Sequence, residues 1–191
     1  MRKEGIGIVL LAAAGLSLAA CSGKDGAGEQ ASATSAADGT TPASASLPDA
    51  LDNTDGLQTV AEALKETGIE GVFREKASYT LIAPEDDAFA KLGDPAKQLT
   101  EADDHAALAA LIKDHMLTGY MTPQDISAAI KASKDGKIEI PTLGGGTLTF
   151  TQAGPTVTVT AEDGTQASFY GDPVAGGSSI AIPVNGVLKK L

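Results

Sequence analysis

The chain has 191 residues, with a hydrophobic fraction of 42% and a charged fraction of 20%, which suits one folded domain with a sizeable core. Its formal net charge is -11 at pH 7, and this acidic balance argues against partners such as nucleic acid or anionic lipid headgroups. A single Cys excludes an internal disulfide and a metal site of several Cys, and two His leave little material for a His-built catalytic centre.

The first 20 residues are predicted to be a signal peptide. Arg2 and Lys3 give a short basic start, and residues 6–20 are apolar apart from Gly and Ser. This run has 15 residues, whereas a membrane-spanning helix needs about 20. A short apolar run behind a basic tip is typical of a secretory leader that is removed from the mature protein.

The leader ends at the lone Cys of the chain. The sequence Leu18-Ala19-Ala20-Cys21 resembles the lipobox of bacterial lipoproteins. The resemblance implies that the Cys21 thiol receives a diacylglycerol group and that the new amino terminus is acylated; two or more acyl chains anchor a protein stably. The alternative is an ordinary secreted protein with a spare Cys near its cleavage site.

The residue after Cys21 bears on the membrane that the protein would occupy. Gram-negative lipoproteins that stay at the inner membrane usually carry Asp at this position, and this chain has Ser22. The resemblance therefore implies a lipid-anchored protein of the cell envelope, at the outer membrane in a cell that has one.

Residues 21–46, the lipidated Cys and the segment after it, are predicted to form a flexible tether. Of the 25 residues in 22–46, 19 are Ala, Ser, Gly or Thr, so the segment cannot bury enough surface to offset the entropy of ordering it. Its root-mean-square reach is roughly 25–30 Å. The folded domain is expected to span residues 47–191.

Helical and strand patterns alternate in the first half of this domain. One apolar face, formed by Leu57, Val60, Ala61 and Leu64, predicts a helix that ends at Gly68. Residues 79–83 are aromatic and β-branched and stop at Pro84, which predicts a buried strand. The acidic residues 85–87 then favour a new helix, with Asp86 as its cap.

Two further helices are predicted after this point. Residues 100–103 resemble a capping box, and the helix behind them is expected to end at Gly119. One face of that helix carries Leu108, Leu111, Ile112 and His115. Thr122 is the expected cap of the next helix, with Pro123 at its first position. The inner stripe of this helix is formed by Ile126, Ala129 and Ile130.

Strand patterns dominate the rest of the chain. Thr alternates with apolar residues over 147–151 and 156–160, and a last apolar stretch covers 180–184. Turn sequences separate the strands at 135–136, 144–146, 154–155 and 163–164. Such alternation indicates antiparallel strands with one buried and one solvated face. Helices first and hairpins later predict an α+β domain.

The segment 79–92 resembles the first signature of fasciclin (FAS1) domains. It carries an aromatic-led strand, then Ala83 and Pro84, an acidic residue at Asp86, and Ala-Phe ending at Phe89. The resemblance implies that these motif residues are mostly structural.

Two later segments complete the resemblance. Residues 111–119 are similar to the central Tyr-His region of the family, and residues 180–188 to its second signature. The resemblance covers residues 47–191 and implies a single domain in which a wedge of antiparallel strands packs with several helices. The family's Tyr before the His is Asp114 here, and the Asn-Gly that usually precedes the last strands is replaced by residues 177–179.

His115 is the candidate site residue that the resemblance singles out. The Tyr-His region of animal members is linked to receptor adhesion, and only the His matches here. We expect His115 to be a buried residue hydrogen-bonded to backbone, locking the central helix to the sheet, and not a recognition residue.

Other candidate sites are explained better by local structure. His105 is expected to be a solvated helix residue and not a metal ligand. The consecutive acids 85–87 fit a helix start better than a calcium loop, which alternates its ligands. The glycines 144–146 lack the Lys and the helix of a phosphate cradle and fit a hairpin turn. No metal or cofactor is expected.

The sequence favours an interaction protein over an enzyme. It has no Gly-x-Ser-x-Gly elbow, and neither His stands in a motif with a Ser or Asp partner. We expect an adhesion or interaction module that contacts an unidentified protein or extracellular polymer. The alternative is a carrier of an apolar small molecule such as a carotenoid, since some fasciclin-domain proteins bind such pigments.

Overall fold

The computed structural model describes residues 45–95 and 105–190. The helices that lie wholly within them are α1 Leu47–Asp52, α2 Gln58–Glu66, the 3₁₀ helix Ile69–Arg74, α3 Asp86–Ala90, α4 Ala106–Asp114 and α5 Pro123–Ala132. The strands are β1 Tyr79–Pro84, β2 Met116–Thr118, β3 Lys137–Pro141, β4 Thr147–Ala153, β5 Thr156–Ala161, β6 Gln166–Ser168, β7 Val174–Gly176 and β8 Ser179–Val184. The predicted α+β class is confirmed. The leader, Cys21 and the tether lie outside the described residues, as do residues 100–103.

The strands form two sheets of four. Sheet 1 has the order β2-β1-β8-β7 and sheet 2 the order β3-β4-β5-β6. Sheet 2 is an antiparallel meander, as the alternation predicted. In sheet 1, however, β1 and β8 run parallel, with Thr80 paired to Ile180 and Pro84 to Val184. A parallel pair needs a long crossover, and here most of the domain lies between the two strands.

Sheet 1 lies between two hydrophobic clusters. Leu81, Ala83 and Ala181 join a cluster formed mainly with the helices α1 to α4. Ile82 and Ile182 join a second cluster, formed with sheet 2 and α5. Every residue of β8 is buried, because a strand covered on both faces has no solvated side. The parallel pair β1 and β8 therefore lies between the two hydrophobic clusters and contributes side chains to both.

The helices α2 and α5 form where the sequence predicted them. Gly68 follows α2 with a φ of 70°, a left-handed conformation that glycine adopts without strain. The predicted cap of α5 is confirmed: Thr122 and Asp125 form a capping box, with Pro in the first turn. Ala129 is exposed, so the prediction that it belongs to the inner stripe of α5 is wrong.

The helix α4 ends earlier than predicted. It stops at Asp114, and Met116–Thr118 forms β2, which pairs with β1. The Ile82 N–H donates to the His115 carbonyl at 2.9 Å, so hydrogen bonds to sheet 1 replace those that would continue the helix. Met116 and Leu117 are buried in different clusters, as side chains of a strand covered on both faces must be. The prediction that Gly119 ends this helix is therefore wrong.

Candidate functional site

The three segments that carry the sequence motifs meet in space. The first segment (79–92) forms β1 and α3. The second (111–119) forms the end of α4 and β2, and the third (180–188) forms most of β8. The strand β1 pairs with both β2 and β8. After the last pair of the register, the Glu85 N–H donates to the Val184 carbonyl at 3.0 Å. The expectation that these segments form one lobe is confirmed.

Ala83, Pro84 and Phe89 lie inside this lobe. Ala83 is fully buried in the hydrophobic cluster formed with helices α1 to α4, and Pro84 is the last residue of β1. Phe89 is 5% exposed and packs into the same cluster from α3. These side chains have no access to solvent that a ligand would need, so their position supports a structural role.

Asp86 does not cap its own helix, and the prediction that it does is wrong. Glu85 is the N-cap of α3 and makes no side-chain capping bond. The Asp86 carboxylate instead accepts the backbone N–H of Thr59 at 2.8 Å, in the first turn of α2. Asp86 is the first residue of α3, one position after the N-cap from which a side chain can cap that helix. Its carboxylate instead faces the free N–H groups in the first turn of α2.

His115 is buried at the point where the three motif segments meet. It is 1% exposed, and its Nδ1 lies 2.8 Å from the Leu111 carbonyl. Its Nε2 accepts the backbone N–H of Leu188 at 3.0 Å. Burial lowers the pKa of His115, against smaller opposing effects of the Leu111 carbonyl and the Asp114 carboxylate. Both ring nitrogens are occupied by backbone groups, which leaves neither free for a substrate.

His105 differs from its prediction. It is partly buried and stands at the N-terminal boundary of α4, where the first helical residue is Ala106. It is therefore not the solvated helix residue that the sequence predicts. Within the described ranges, no group of three or more His, Cys, Asp or Glu is arranged to hold a metal ion.

A polar cavity of about 380 Å³ lies beside His115. Its walls come from the end of α4, the β3–β4 turn, the β5–β6 turn and the segment after β8. The charged residues among them are Asp114, Glu162, Asp163 and Lys189. The sequence predicts both turns but not that they converge with α4 and the last segment, because these parts are far apart in the chain.

The glycines of the β3–β4 turn do not form an anion cradle. The N–H groups of Gly144 and Gly145 donate to the carbonyls of Lys113 and Thr142, at 2.9 and 3.1 Å. The Gly146 N–H donates to the Thr142 hydroxyl at 3.1 Å. With all three amides used inside the protein, none is left for a phosphate. The predicted hairpin turn is confirmed.

Ion pairing and hydrogen bonding hold the charged wall of the cavity. Lys189 Nζ lies 2.7 Å from Asp114 Oδ2, and this bond raises the pKa of Lys189. Burial works to raise the pKa of Asp163, but hydrogen bonds from Thr165 and from the Lys190 amide outweigh it and lower the pKa. Bonds within the protein thus hold Asp114, Asp163 and Lys189 in place, and most of the charged groups in the cavity are carboxylates.

The outer face of sheet 2 is an array of hydroxyl groups with no net charge. Thr149 pairs with Thr160 and Thr151 with Thr158 across β4 and β5. The other face of these strands is buried in the second cluster. The only two ionic side chains of the array, Lys137 and Glu139, pair with each other at 2.8 Å. We call this surface the threonine face.

No helix within the described residues is long and apolar enough to cross a membrane.

Comparison with known proteins agrees with this architecture. The family model of the fasciclin domain matches residues 55–181. Eighteen chains of solved structures match as well. No curated protein matches.

One of the matching structures is a FAS1 domain pair from the insect cell adhesion molecule fasciclin I. It has a TM-score of 0.64 at 16% sequence identity, and the match covers 78% of this chain and 52% of that one. This chain thus spans about half the length of that domain pair, and at this identity the likeness shows the fold. Together with the family match over residues 55–181, it confirms the resemblance seen in the sequence: the chain belongs to the fasciclin domain family.

Proposed function

We propose that the chain is a lipid-anchored, non-catalytic contact module of the cell envelope, which binds a neighbouring protein or an extracellular polymer. The observation that carries the proposal is membership of the fasciclin family, whose fold here matches a domain pair of a cell adhesion molecule. A fold alone does not name a partner, so the site and the anchor have to be argued from the residues.

The anchor is proposed from the sequence. Cys21 follows an apolar leader of lipoprotein type, and the Ala/Ser/Gly/Thr-rich residues 22–46 give a tether of roughly 25–30 Å. A tether of this length holds the domain near the membrane and leaves it free to turn. This arrangement suits a domain that presents a face to something outside the membrane.

The position of His115 supports a non-catalytic role. A general base must reach the proton that it removes, directly or through one water. His115 is 1% exposed, and both of its nitrogens are bonded to backbone groups. The residue that the family motif singles out therefore serves the fold, which supports the non-catalytic proposal.

The threonine face is our candidate contact surface. Within the described residues, the hydroxyls of Thr147, Thr149, Thr151 and Thr156 make no side-chain hydrogen bond. They can exchange water for a partner without breaking a bond inside the protein. The face carries no net charge on a chain of formal net charge -11, so it repels an acidic envelope polymer less than the acidic parts of the surface do.

A carrier of apolar pigment has less support. The cavity beside His115 is lined mainly by polar groups and by the charged residues Asp114, Glu162, Asp163 and Lys189. An apolar ligand would desolvate those charges, which is costly. Pigment or lipid that co-purifies with the full chain would favour the carrier over the contact module.

The anchor is tested by metabolic labelling with a radioactive fatty acid. We expect the wild-type chain to incorporate label and Cys21→Ala to incorporate none. Equal labelling of the two chains would exclude the proposed lipid site.

The contact function is tested by the adhesion of cells that display the full chain, either to one another or to a surface coated with envelope polymer. We expect adhesion to be lost in Cys21→Ala and reduced in the double variant Thr149→Glu, Thr160→Glu, because carboxylates on the face repel an acidic polymer. The matched control is the double variant Gln124→Glu, Ala128→Glu on α5, two exposed positions that are not part of the threonine face. Equal adhesion of both glutamate variants would remove the threonine face from the proposal, and turnover of a substrate by the purified chain would overturn the non-catalytic role.

A further inference from the structure

The segment 187–190 is held across one wall of the polar cavity by three bonds. The Leu188 N–H donates to His115 Nε2 at 3.0 Å, and the Lys190 N–H donates to Asp163 Oδ2 at 2.6 Å. Lys189 Nζ pairs with Asp114 Oδ2 at 2.7 Å. The side chains of Val187 and Leu188 are buried, one in each hydrophobic cluster. The segment is thus held in place by packing and by three bonds. One of these, from the Leu188 N–H to His115 Nε2, depends on the charge state of the imidazole ring.

The hydrogen bonds fix the tautomer of His115. A carbonyl oxygen can only accept, so the Nδ1 atom, 2.8 Å from the Leu111 carbonyl, carries the proton. Nε2 is then the acceptor for the Leu188 N–H. A second proton has to bind to Nε2, where the Leu188 N–H already points. Two donors would face each other, so protonation of the ring is incompatible with the seated segment.

The charged groups around the ring come from three elements. Asp114 at the end of α4 favours the imidazolium, Lys189 on the segment opposes it, and burial opposes it most strongly. Glu162 and Asp163 on the β5–β6 turn act on Lys189. If the segment leaves, Lys189 leaves with it, and Asp114 stays beside the ring. The open state therefore binds the second proton more readily than the closed state.

The bend before the segment defines where the movement would begin. Asn185 is fastened to β6 in both directions: its side-chain oxygen accepts the Ser168 N–H at 2.8 Å, and its own N–H donates to the Ser168 carbonyl at 3.2 Å. Gly186 follows this fixed point. Leu188 and Lys189 belong to the lining of the cavity, so their departure widens it and leaves Asp114 without its ion-pair partner.

We propose that the segment 187–190 is a pH-sensitive latch: protonation of the His115 ring releases the segment from its position and widens the polar cavity beside it. The release is local, because Asn185 keeps its bonds to β6 and sheet 2 keeps its own bonds. The proposal is independent of the contact function, since it concerns the state of one cavity wall and not a partner.

Hydrogen exchange of the full chain in detergent micelles tests the latch, with mass spectrometry of peptides that contain residues 187–190. After correction for the intrinsic exchange rate, we expect protection of this segment to fall as pH decreases below about 6.5, by at most about tenfold per pH unit because one proton is taken up. Peptides from β4 and β5 should keep their protection. Constant protection of the segment, or an equal loss in β4 and β5, would overturn the proposal.

Two variants separate His115 from other titrating groups. His115→Gln does not titrate, and we expect its segment 187–190 to exchange with no pH dependence between pH 7.5 and 5.5. His105→Gln is the matched control and should keep the wild-type pH dependence. Retention of the pH dependence in His115→Gln would refute the latch.

A measurement on the wild-type chain keeps the proposal testable if His115→Gln does not fold. Nuclear magnetic resonance of the imidazole C–H groups follows the titration of His115 directly. Because the closed state lowers the pKa of the ring, we expect the ring to become protonated only at pH values where segment 187–190 has already lost protection. Protonation of the ring without loss of protection would show that the seat tolerates the imidazolium, and the latch would be excluded.

Discussion

The Asp86 carboxylate accepts the backbone N–H of Thr59 at 2.8 Å, although 27 residues separate them in the chain. The first turn of α2 has no cap of its own, since Leu57 occupies the N-cap position. Asp86 thus serves as a cap supplied from another helix, and it fastens α3 to α2. The reverse bond, from the Asp86 N–H to the Gly56 carbonyl at 2.9 Å, strengthens the same junction.

We therefore expect Asp86→Ala to lower the free energy of unfolding by about 1 kcal/mol, the usual cost of losing a helix cap. Urea unfolding measures it. Asp87→Ala is the matched control, because both carboxylates lie in the first turn of α3 and both lose the same interaction with its helix dipole. An equal loss in the two variants would show that the contact with Thr59 contributes nothing.

Gly176 is expected to be the least replaceable glycine at the junction of α1 and β7. A Cβ built on it would lie 2.6 Å from Leu47 N and 2.8 Å from the Ser46 carbonyl carbon. These are backbone atoms, so α1 would have to move away from sheet 1. We expect Gly176→Ala to cost about 1–3 kcal/mol, the range of overpacked cores.

The control for this prediction is Gly71→Ala, measured by urea unfolding in the same way. A Cβ at Gly71 would meet no atom within 4 Å, and its φ lies outside the left-handed region. We expect a change within about 0.5 kcal/mol. Similar stability of the two variants would mean that α1 does not pack on β7 as closely as described.

The capping box of α5 gives a third prediction. The Thr122 hydroxyl accepts the Asp125 N–H at 3.1 Å, and the Asp125 carboxylate accepts the Thr122 N–H at 2.9 Å. Thr122→Ala should lower the free energy of unfolding by about 1 kcal/mol, and Thr122→Ser, which keeps the hydroxyl, should lose much less. Thermal unfolding would show a fall of about 2–4 °C for Ala. Equal melting temperatures for Ala and Ser would argue against the cap.

The sequence predicts correctly those helices and strands whose signal comes from residues that are neighbours in the chain. The apolar face of α2, the cap of α5 and the alternation in β4 and β5 are each readable from a few neighbouring residues, and each is present. The short elements α1 and β7 were not predicted, since six and three residues are too few to show a period. They form because they pack on each other.

Two of the errors, the end of α4 and the cap of α3, share one cause, which is competition from distant groups. The apolar run after Asp114 fits a longer helix, but the Ile82 N–H reaches the His115 carbonyl and draws the chain into β2. The Asp86 side chain likewise finds Thr59 in place of its own helix. For His115, the sequence placed the ring on an apolar face, but no local signal identifies Leu188 as its partner, 73 residues later.

The pH dependence of overall stability follows from the buried ring. Burial lowers the pKa of His115 in the folded state below its ordinary value of 6.5. Below pH 6.5 the unfolded chain therefore binds more protons than the folded chain, and linkage requires stability to fall as pH falls. The loss begins near pH 6.5 and continues down to the folded-state pKa, with a slope of at most about 1.4 kcal/mol per pH unit for one proton.

The carboxylates act in a different pH range or with a different sign. Hydrogen bonds from Thr122 lower the pKa of Asp125, and the bond from Lys137 lowers that of Glu139, so their contributions are lost only below their ordinary values of 3.8 and 4.5. Burial raises the pKa of Glu85, so this group adds stability as pH falls through its folded-state pKa. Neither effect depends on the side chain at position 115.

A comparison of urea unfolding between pH 7.5 and 5 in wild type and His115→Gln isolates the ring. We expect the wild-type free energy of unfolding to decrease with pH and the variant to start lower, because it replaces a fitted ring, but to change less. The difference between the two curves cancels the carboxylates, which both chains share. If the two chains lose stability in parallel, the proton is taken up elsewhere, and the imidazole is not the group that makes this fold sensitive to acid.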